Sequence, residues 1–384
     1  MEVLGSMSIR QLIDDDLSII TLPASALLDR DNDEIEVVHD PRFVMSQQME
    51  LFRQRAAQPF LDILKTMCQN RCRVRRTLTH LIRDWENLQF DAEDIDQILQ
   101  VKTSEKPLMH KSSMGRGNPV ESYSLSLSSW AFLYKVRLME EIVQFGFELE
   151  VYQKDELAGM YWYLNYLAKS RLQHTERIKT FIIKKAEESR QQSRKMEAIT
   201  EKQLQRALIH VRLSMLDAAV TWELADALCC LYMVLHRLEL IKRPNRPYST
   251  DELRYELRMK PFMPISLPTM PTFEEFTIGS TLPDTSSSDL LEYADRAVVG
   301  ARKGFETLSK LSAEESFSVG SHERWTTSVK NSLKSCIATG LAISTIRKEL
   351  SRVEGGGDLT VKVEVPTPDK SYHEWWIVPK VLPK

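Results

Sequence analysis

Cysteine and histidine are the residue types most able to do chemistry in this sequence of 384 residues. The five cysteines are Cys68, Cys72, Cys229, Cys230 and Cys336. They form no C-x-x-C pair, and no histidine is close enough in sequence to complete a zinc signature. His210 and His236 fall on one predicted helix, but they are too far apart to share an ion. We therefore expect reduced, buried cysteines of a cytosolic protein, structural histidines and no metal site.

Catalytic motifs with a recognised mechanism are also missing from the sequence. It holds no P-loop, no G-x-S-x-G, no H-E-x-x-H and no D-x-D-x-D-G. Gly115-Arg116-Gly117 follows no predicted strand, so we do not expect a phosphate-binding loop there. The expectation is a chain with no catalytic residues and no cofactor. An enzyme that uses other residues stays an alternative.

The charge of the whole sequence is nearly balanced, with 51 basic and 54 acidic residues. This balance excludes a bulk attraction to nucleic acid or to membranes, so any electrostatic partner has to be met by a local patch. The acidic patch is residues 1–40, which carry ten acids and two bases. Apolar residues within it recur at helical spacing, at Ile9, Leu12, Ile13, Leu17 and Ile20. This spacing predicts a short amphipathic helix before an acidic loop.

A basic segment extends from Lys169 to Arg206, where eleven bases accompany five acids. The basic residues lie closest together in the part that contains Lys184, Lys185, Arg190, Arg194 and Lys195. The surrounding residues give no apolar face, which predicts a polar helix that projects from the body or frays. We expect that such an arm, residues 179–206, either contacts RNA phosphates or is only a solvated helix. No aromatic residue lies among the cations of 184–195, so base stacking is not expected.

Hydrophobic periodicity predicts long helices over most of the chain, at about 41–55, 60–101, 127–145, 155–195 and 201–241. The most apolar stretch, 213–235, contains three acids, so we interpret it as a core helix and not a membrane span. Ser249 and Glu252 fit a capping box that begins a short helix. Further helices are predicted over 289–311 and 322–353, and alternating residues at 359–365 predict a strand.

Five prolines between Pro261 and Ser288 predict an extended segment with no room for a helix. Its apolar side chains indicate that this segment lies across the helices and packs against them. The predicted fold is therefore all-α: long helices in an irregular bundle, with a proline-rich extended strap and a short C-terminal strand. The predicted divisions are an acidic N-terminal segment (1–40), a long-helix body (41–260), the strap (261–288), a helical pair (289–354), and a strand with a tail (355–384).

An aromatic run, Tyr161-Trp162-Tyr163, begins the helix predicted from residue 155. Three consecutive helical residues point in three directions, so at least one of them has to meet another segment or another chain. Tyr152 and Tyr166 lie close to this run. Aromatic side chains of this kind often anchor interfaces.

Three blocks of residues together resemble the large auxiliary subunit of the N-terminal acetyltransferase C (NatC) complex. The blocks are Asn70-Arg71-Cys72-Arg73 with Leu88-Gln89, Gly146 to Tyr152 followed by Met160 to Leu164, and Arg254 to Arg258 followed by Pro261-Phe262. They occur in the family's order, cover roughly residues 40–275, and correspond to the C-terminal part of that family. The resemblance implies a non-catalytic scaffold, so that acetyl transfer is done by another chain.

The resemblance further implies the partners of such a scaffold. They are a GNAT-fold catalytic subunit that binds acetyl-CoA, a small Sm-like subunit and the ribosome in the cytoplasm. The implied substrates are nascent chains that begin with Met followed by a hydrophobic residue. The expected partner-interface residues are Glu148, Glu150, Tyr152, Tyr161, Trp162, Arg254, Tyr255 and Arg258. We expect Arg254, Tyr255 and Arg258 to fasten the strap to the body through charge-assisted bonds. The alternative function is a helical module that contacts RNA or the ribosome through the basic arm.

Overall fold

The computed structural model describes residues 51, 55, 71–104, 127–147, 151–192, 197–244, 250–312, 322–366 and 376–384. Four long helices come first: α1 (Arg71–Ser104), α2 (Leu127–Gly146), α3 (Leu157–Gln192) and α4 (Glu197–Arg237). Two short ones follow, α5 (Asp251–Met259) and α6 (Phe273–Thr281), and then α7 (Ser287–Leu308) and α8 (His322–Glu354). The strands are β1 (Val361–Glu364) and β2 (Lys380–Pro383), and 3-10 turns occur at Lys154–Glu156 and Lys260–Phe262.

The long helices pack in succession, each against the next, with neighbouring helices antiparallel. Helix α1 packs on α2, α2 on α3, α3 on α4, α4 on α7, and α7 on α8. One continuous core joins them and includes Trp85, Tyr163, Leu224 and Ile343. This arrangement confirms the all-α prediction of long helices in an irregular bundle.

The strap was predicted to contain no helix, and that prediction is wrong for residues 273–281, which form α6. The reason is the spacing of the prolines: none falls between Pro271 and Pro283, which leaves room for two turns. Thr272 caps the helix, accepting from the backbone N–H of Glu275, whose carboxylate accepts from the Thr272 N–H. The expected packing of the strap on the helices does occur, because α6 lies against α3.

The N-cap of α5 is Thr250 and not Ser249, one residue later than the sequence indicated. The Thr250 hydroxyl accepts from the N–H of Leu253. The expected strand is present as β1, and β2 pairs with it in antiparallel register, Val361 opposite Pro383. Helix α4 contains a stretch, Val211–Arg237, long and apolar enough to cross a membrane, but 78% of its most apolar window is buried inside the protein. This burial is that of a core helix.

Residues 1–50 and most of 52–70 lie outside the described part. The predictions for the acidic segment and for the helix at 41–55 therefore stay predictions.

Candidate functional site

The aromatic run on α3 contacts three different segments of the chain, where the sequence predicted that at least one of its residues would meet another segment. Tyr161 faces the C-terminal tail, Trp162 faces α6, and Tyr163 packs edge-on against Phe262 of the 3-10 turn, with ring centroids 5.1 Å apart. All three contacts are made within this chain. The aromatic cluster is thus one place where both the strap and the tail contact the long-helix body.

Trp162 and α6 interlock through two glycines. The Trp162 indole crosses Phe276 at 89°, with ring centroids 5.4 Å apart. The indole lies over Gly279 of α6, and Phe276 lies over Gly159 of α3, where a Cβ would come within 2.5 Å of the phenyl ring. Each helix therefore supplies one aromatic ring and the bare backbone that the other helix's ring needs.

Tyr161 and Tyr232 each hold the tail by one buried hydrogen bond. The Tyr161 hydroxyl accepts from the backbone N–H of Ile377 at 2.8 Å, and the Tyr232 hydroxyl donates to the Ile377 carbonyl at 2.8 Å. The Tyr161 ring stacks on both Tyr232 and Trp376. Burial raises the pKa of the Tyr161 phenol, so the group serves as a neutral hydrogen-bonding partner.

The arginines of α5 form the charge-assisted bonds that the sequence predicted, but to a different segment. Arg254 pairs with Asp155 at 2.8 Å, and Arg258 pairs with Glu156 at 2.7 Å. Both acids belong to the 3-10 turn before α3, and not to the strap. Only Tyr255 reaches the strap, by donating to the Pro271 carbonyl. The arginines bond to this turn and not to the strap because they lie on the α5 face that covers the start of α3.

Three predicted interface residues remain: Tyr152 is buried in the core, and Glu148 and Glu150 are not among the residues that the structure describes. The Tyr152 hydroxyl donates to the Val143 carbonyl at 2.6 Å, and its ring covers Gly146. The six described interface candidates, from Tyr152 to Arg258, all make contacts between elements of this chain.

The basic arm, residues 179–206, includes the end of α3 and the start of α4, which form a helical hairpin, and these two helices carry an apolar stripe beside the polar stretch. Ile178, Ile182 and Ala186 of α3 are buried against Leu204 and Leu208 of α4. The stretch 184–195 was predicted to have no apolar face; of the buried residues in this stripe only Ala186 falls within that stretch, and the two isoleucines lie just before it. The side chain of Lys184 is exposed. The backbones of Lys185 and Arg190 lie on α3, but their side chains, and all of Arg194 and Lys195, are outside the description.

Exposed residues of the hairpin include an aromatic ring that the sequence analysis did not single out. Phe181 is 60% exposed and lies one turn from Arg177 and Lys184 on α3. Both of these cations are exposed, as is Arg212 on α4. The described part of the hairpin thus places the exposed Phe181 ring beside the exposed cations Arg177 and Lys184.

Buried charges join α2, α3 and α4. Arg171 is held between Glu140 at 2.8 Å and Asp217 at 2.7 Å, and Arg137 contacts the same two acids. Burial alone raises the pKa of Asp217, but Arg137 and Arg171 outweigh it and lower the pKa overall. The network is a structural device, because its acids are all occupied by arginines. Sequence reasoning missed it, since its members lie up to 80 residues apart.

The three described thiols and the imidazole of His174 are unsuited to nucleophilic chemistry. Cys229, Cys230 and Cys336 are buried, and burial raises the pKa of both Cys230 and Cys336 to about 12. Burial, aided by Arg177, lowers the pKa of His174 to about 4. In the described part of the chain, no three His, Cys, Asp or Glu residues are grouped in a way that could hold a metal ion.

A helical body whose polar side chains bind its own elements together defines the class: an all-α protein of long helices packed around one core. The chain matches the family described as NAA35-like, TPR repeats, over residues 1–379, and it belongs to that family. This membership confirms the resemblance found in the sequence. The sequence shows no 34-residue repeat, and helices α3 and α4, with 36 and 41 residues, are each longer than a TPR unit of about 34.

The relatives carry the name of the NatC auxiliary subunit. The protein "N-alpha-acetyltransferase 35, NatC auxiliary subunit" of Gallus gallus is 23% identical over 274 residues, 68% of this chain and 35% of the relative. Its counterpart in Homo sapiens is 22% identical over 229 residues, 57% of this chain and 29% of the relative. The chain therefore spans about a third of the length of these relatives. Their names agree with the expectation of an auxiliary and not a catalytic subunit.

Solved structures share the fold. A chain of "Crystal structure of the apo NatC complex" superposes with a TM-score of 0.62 at 15% identity, covering 96% of this chain and 50% of that chain. A chain of "Crystal structure of the NatC complex bound to Gag peptide and CoA" gives 0.61 with the same coverage. At this identity the likeness supports the all-α architecture.

Proposed function

We propose that this chain is a non-catalytic scaffold subunit of a cytoplasmic NatC-type N-terminal acetyltransferase. The observation that carries the proposal is the family match over residues 1–379. In this proposal the chain holds a GNAT-fold catalytic subunit and a small Sm-like subunit. The catalytic subunit binds acetyl-CoA and acetylates nascent chains that begin Met-hydrophobic, at the ribosome.

The outer surface of α5 and of the strap is the proposed contact with the catalytic subunit. Large apolar side chains that are 44–55% exposed occur there close together in sequence, at Leu253, Leu257, Met263, Leu267 and Ile278. Patches of exposed apolar residues mark interaction sites on soluble proteins. The opposite side of α5 carries Arg254, Tyr255 and Arg258, whose bonds hold this helix on the body. In this proposal they position the interface and do not contact the partner.

Affinity purification of the tagged full chain with its catalytic partner tests the proposal. We expect Leu253→Asp with Leu257→Asp to reduce the recovered catalytic subunit at least about 10-fold, because both charges would be desolvated in the contact. The matched control is Ile337→Asp with Leu341→Asp, a pair at the same spacing on α8, which should leave recovery unchanged. If mass spectrometry recovers no GNAT-fold chain with the unmodified protein, the proposed function is wrong. Undiminished recovery with the α5 variant would move the contact elsewhere.

A second candidate function is a contact with ribosomal RNA through the hairpin of α3 and α4. It is favoured by the exposed cations Arg177 and Lys184 beside the accessible ring of Phe181. Cations on phosphates give salt-dependent binding, and an aromatic ring adds a stacking platform.

Charge reversal of the arm tests this second function. We expect Lys184→Glu, Lys185→Glu, Arg194→Glu and Lys195→Glu together to reduce co-sedimentation with ribosomes and to flatten its salt dependence. The control reverses the same number of charges elsewhere, at Lys154, Lys260, Lys303 and Lys310. Equal losses in both variants would mean that only net charge matters, and no loss in either would leave the arm as a solvated hairpin.

A further inference from the structure

Helix α8 has an outer face that is both cationic and apolar. Between Glu323 and Glu349 it contains no acid and five bases. The exposed residues recur on one side of the helix, at Lys330, Lys334, Ile337, Leu341 and Lys348. Leu341 is 66% exposed, the highest value for any large apolar side chain in the described part of the chain, and Ile337 is 48% exposed.

This outer face is additional to the face that holds α8 in the fold. Cys336, Ile343 and Ile346 on the inner side are almost fully buried. A helix that packs only once needs one apolar stripe, so a second apolar pair points to a second contact. Within the described residues, Lys330, Lys334 and Lys348 pair with no acid; Lys334 contacts only the Asn331 amide oxygen, at 3.4 Å. The charges around the apolar pair are therefore available to a partner.

The pattern specifies the chemistry of its occupant. A partner helix needs apolar residues three to four positions apart to cover Ile337 and Leu341, and acids beside them to face the lysines. The N-terminal segment of this chain has that pattern. Leu12, Ile13 and Leu17 recur at helical spacing, and Asp14-Asp15-Asp16 lies among them in a segment of 40 residues with ten acids and two bases.

We propose that residues 9–20 form an amphipathic helix that docks on the outer face of α8 in the same chain. A helix of twelve residues is about 18 Å long, and the α8 face from residue 330 to 348 is about 27 Å long. The chain can reach, because Arg55 is held to Asp91 on α1. The intervening 35 residues extend to about 115 Å, against a body roughly 50 Å across. The tether also raises the effective concentration of the segment to about the millimolar range, so a modest contact suffices.

Carbodiimide cross-linking of the purified full chain tests this docking, because the reagent joins a carboxylate to an amine without a spacer. We expect cross-links from Asp14, Asp15 or Asp16 to Lys334 or Lys348, together with slow amide hydrogen exchange over residues 9–20. Ile337→Asp with Leu341→Asp should reduce the cross-links and speed that exchange at least about 10-fold. Both side chains are exposed, so circular dichroism and thermal unfolding should stay unchanged.

Matched variants separate this docking from general effects of charge. Leu253→Asp with Leu257→Asp places the same charges at the same spacing on α5 and should leave exchange over residues 9–20 slow. Lys334→Asp with Lys348→Asp should speed that exchange, and adding Asp15→Lys with Asp16→Lys should restore protection.

Three results would overturn the proposal. Cross-links between isotope-labelled and unlabelled chains would assign the face to a second copy. Cross-links from residues 9–20 to another surface would place the segment elsewhere. Fast exchange over residues 9–20 in the unmodified chain, with no cross-link to α8, would leave the face to a different protein.

Discussion

At the scale of residues, the fold depends on charges that are buried in pairs. Lys135 of α2 is only 1% exposed, and its ammonium contacts the Glu86 carboxylate of α1 at 2.6 Å. Burial lowers the pKa of Lys135, and Glu86 opposes that shift. The second carboxylate oxygen of Glu86 accepts from the backbone N–H of Ser266 at 3.1 Å. One acid therefore connects α1, α2 and the strap.

Breaking this pair from one side should cost more than removing both charges. We expect Lys135→Met to lower the free energy of unfolding by about 3–5 kcal/mol, because it leaves Glu86 buried without a counter-charge. Adding Glu86→Gln should recover more than half of the loss, since the amide oxygen can still accept from Ser266. Urea unfolding of the single and double variants measures both values. A double variant no more stable than Lys135→Met would show that the pair is not held together by charge.

No local pattern in the sequence predicts the pair of Glu86 and Lys135, because the two residues are 49 positions apart. The directions of Tyr161, Trp162 and Tyr163 were predictable, because they follow from helical geometry alone. The segments that those rings meet were not, because each contact depends on how the helices pack. Local rules therefore identify a residue's need for a partner, while the tertiary fold decides which partner it has.

At the scale of elements, glycines set how closely the helices approach. Trp162 lies over Gly279, and Phe276 lies over Gly159. Gly304 of α7 likewise lies against Val220 of α4, where a Cβ has no space. These roles could not be predicted from the sequence, since a glycine inside a helical pattern indicates only lower helix propensity. Helix ends were easier to predict, because caps and prolines act through adjacent residues. The helix inside the strap was not predicted, because the number of prolines was considered and the gap between Pro271 and Pro283 was not.

Two glycine substitutions should have opposite effects on stability. We expect Gly279→Ala to lower the free energy of unfolding by about 1–3 kcal/mol, because its methyl group would overlap the Trp162 indole and push α6 away from α3. Gly340→Ala on α8 should raise it by about 0.5–1 kcal/mol, because its Cβ would be 3.5 Å from Val298, an ordinary contact, and alanine favours the helix. Denaturant unfolding of both variants provides the comparison. An unchanged or raised free energy of unfolding in the Gly279→Ala variant would show that α6 is not closely packed on α3.

At the scale of the whole molecule, the C-terminal tail connects parts of the chain that are distant in sequence. Ile377 bonds to Tyr161 and Tyr232, which lie 216 and 145 residues before it. Trp376 is buried beside these residues. The two-stranded sheet brings the tail next to the end of α8, since β1 follows that helix and pairs with β2. The tail therefore ties the end of the chain to α3 and α4 at its centre.

Because the tail is buried against the central pair of helices, its loss should affect the entire fold. We expect Trp376→Ala to lower the free energy of unfolding by about 3–5 kcal/mol, the usual cost of removing a buried tryptophan. Trp325→Ala at the start of α8 is the control and should cost less, because that side chain is only partly buried against the core. Circular dichroism at 222 nm during urea unfolding measures both, and the Trp376 variant should still unfold in a single transition, at lower urea. If the helices unfolded at an unchanged urea concentration, the tail would be an appendage, and the tyrosine contacts at its base would contribute little to the stability of the body.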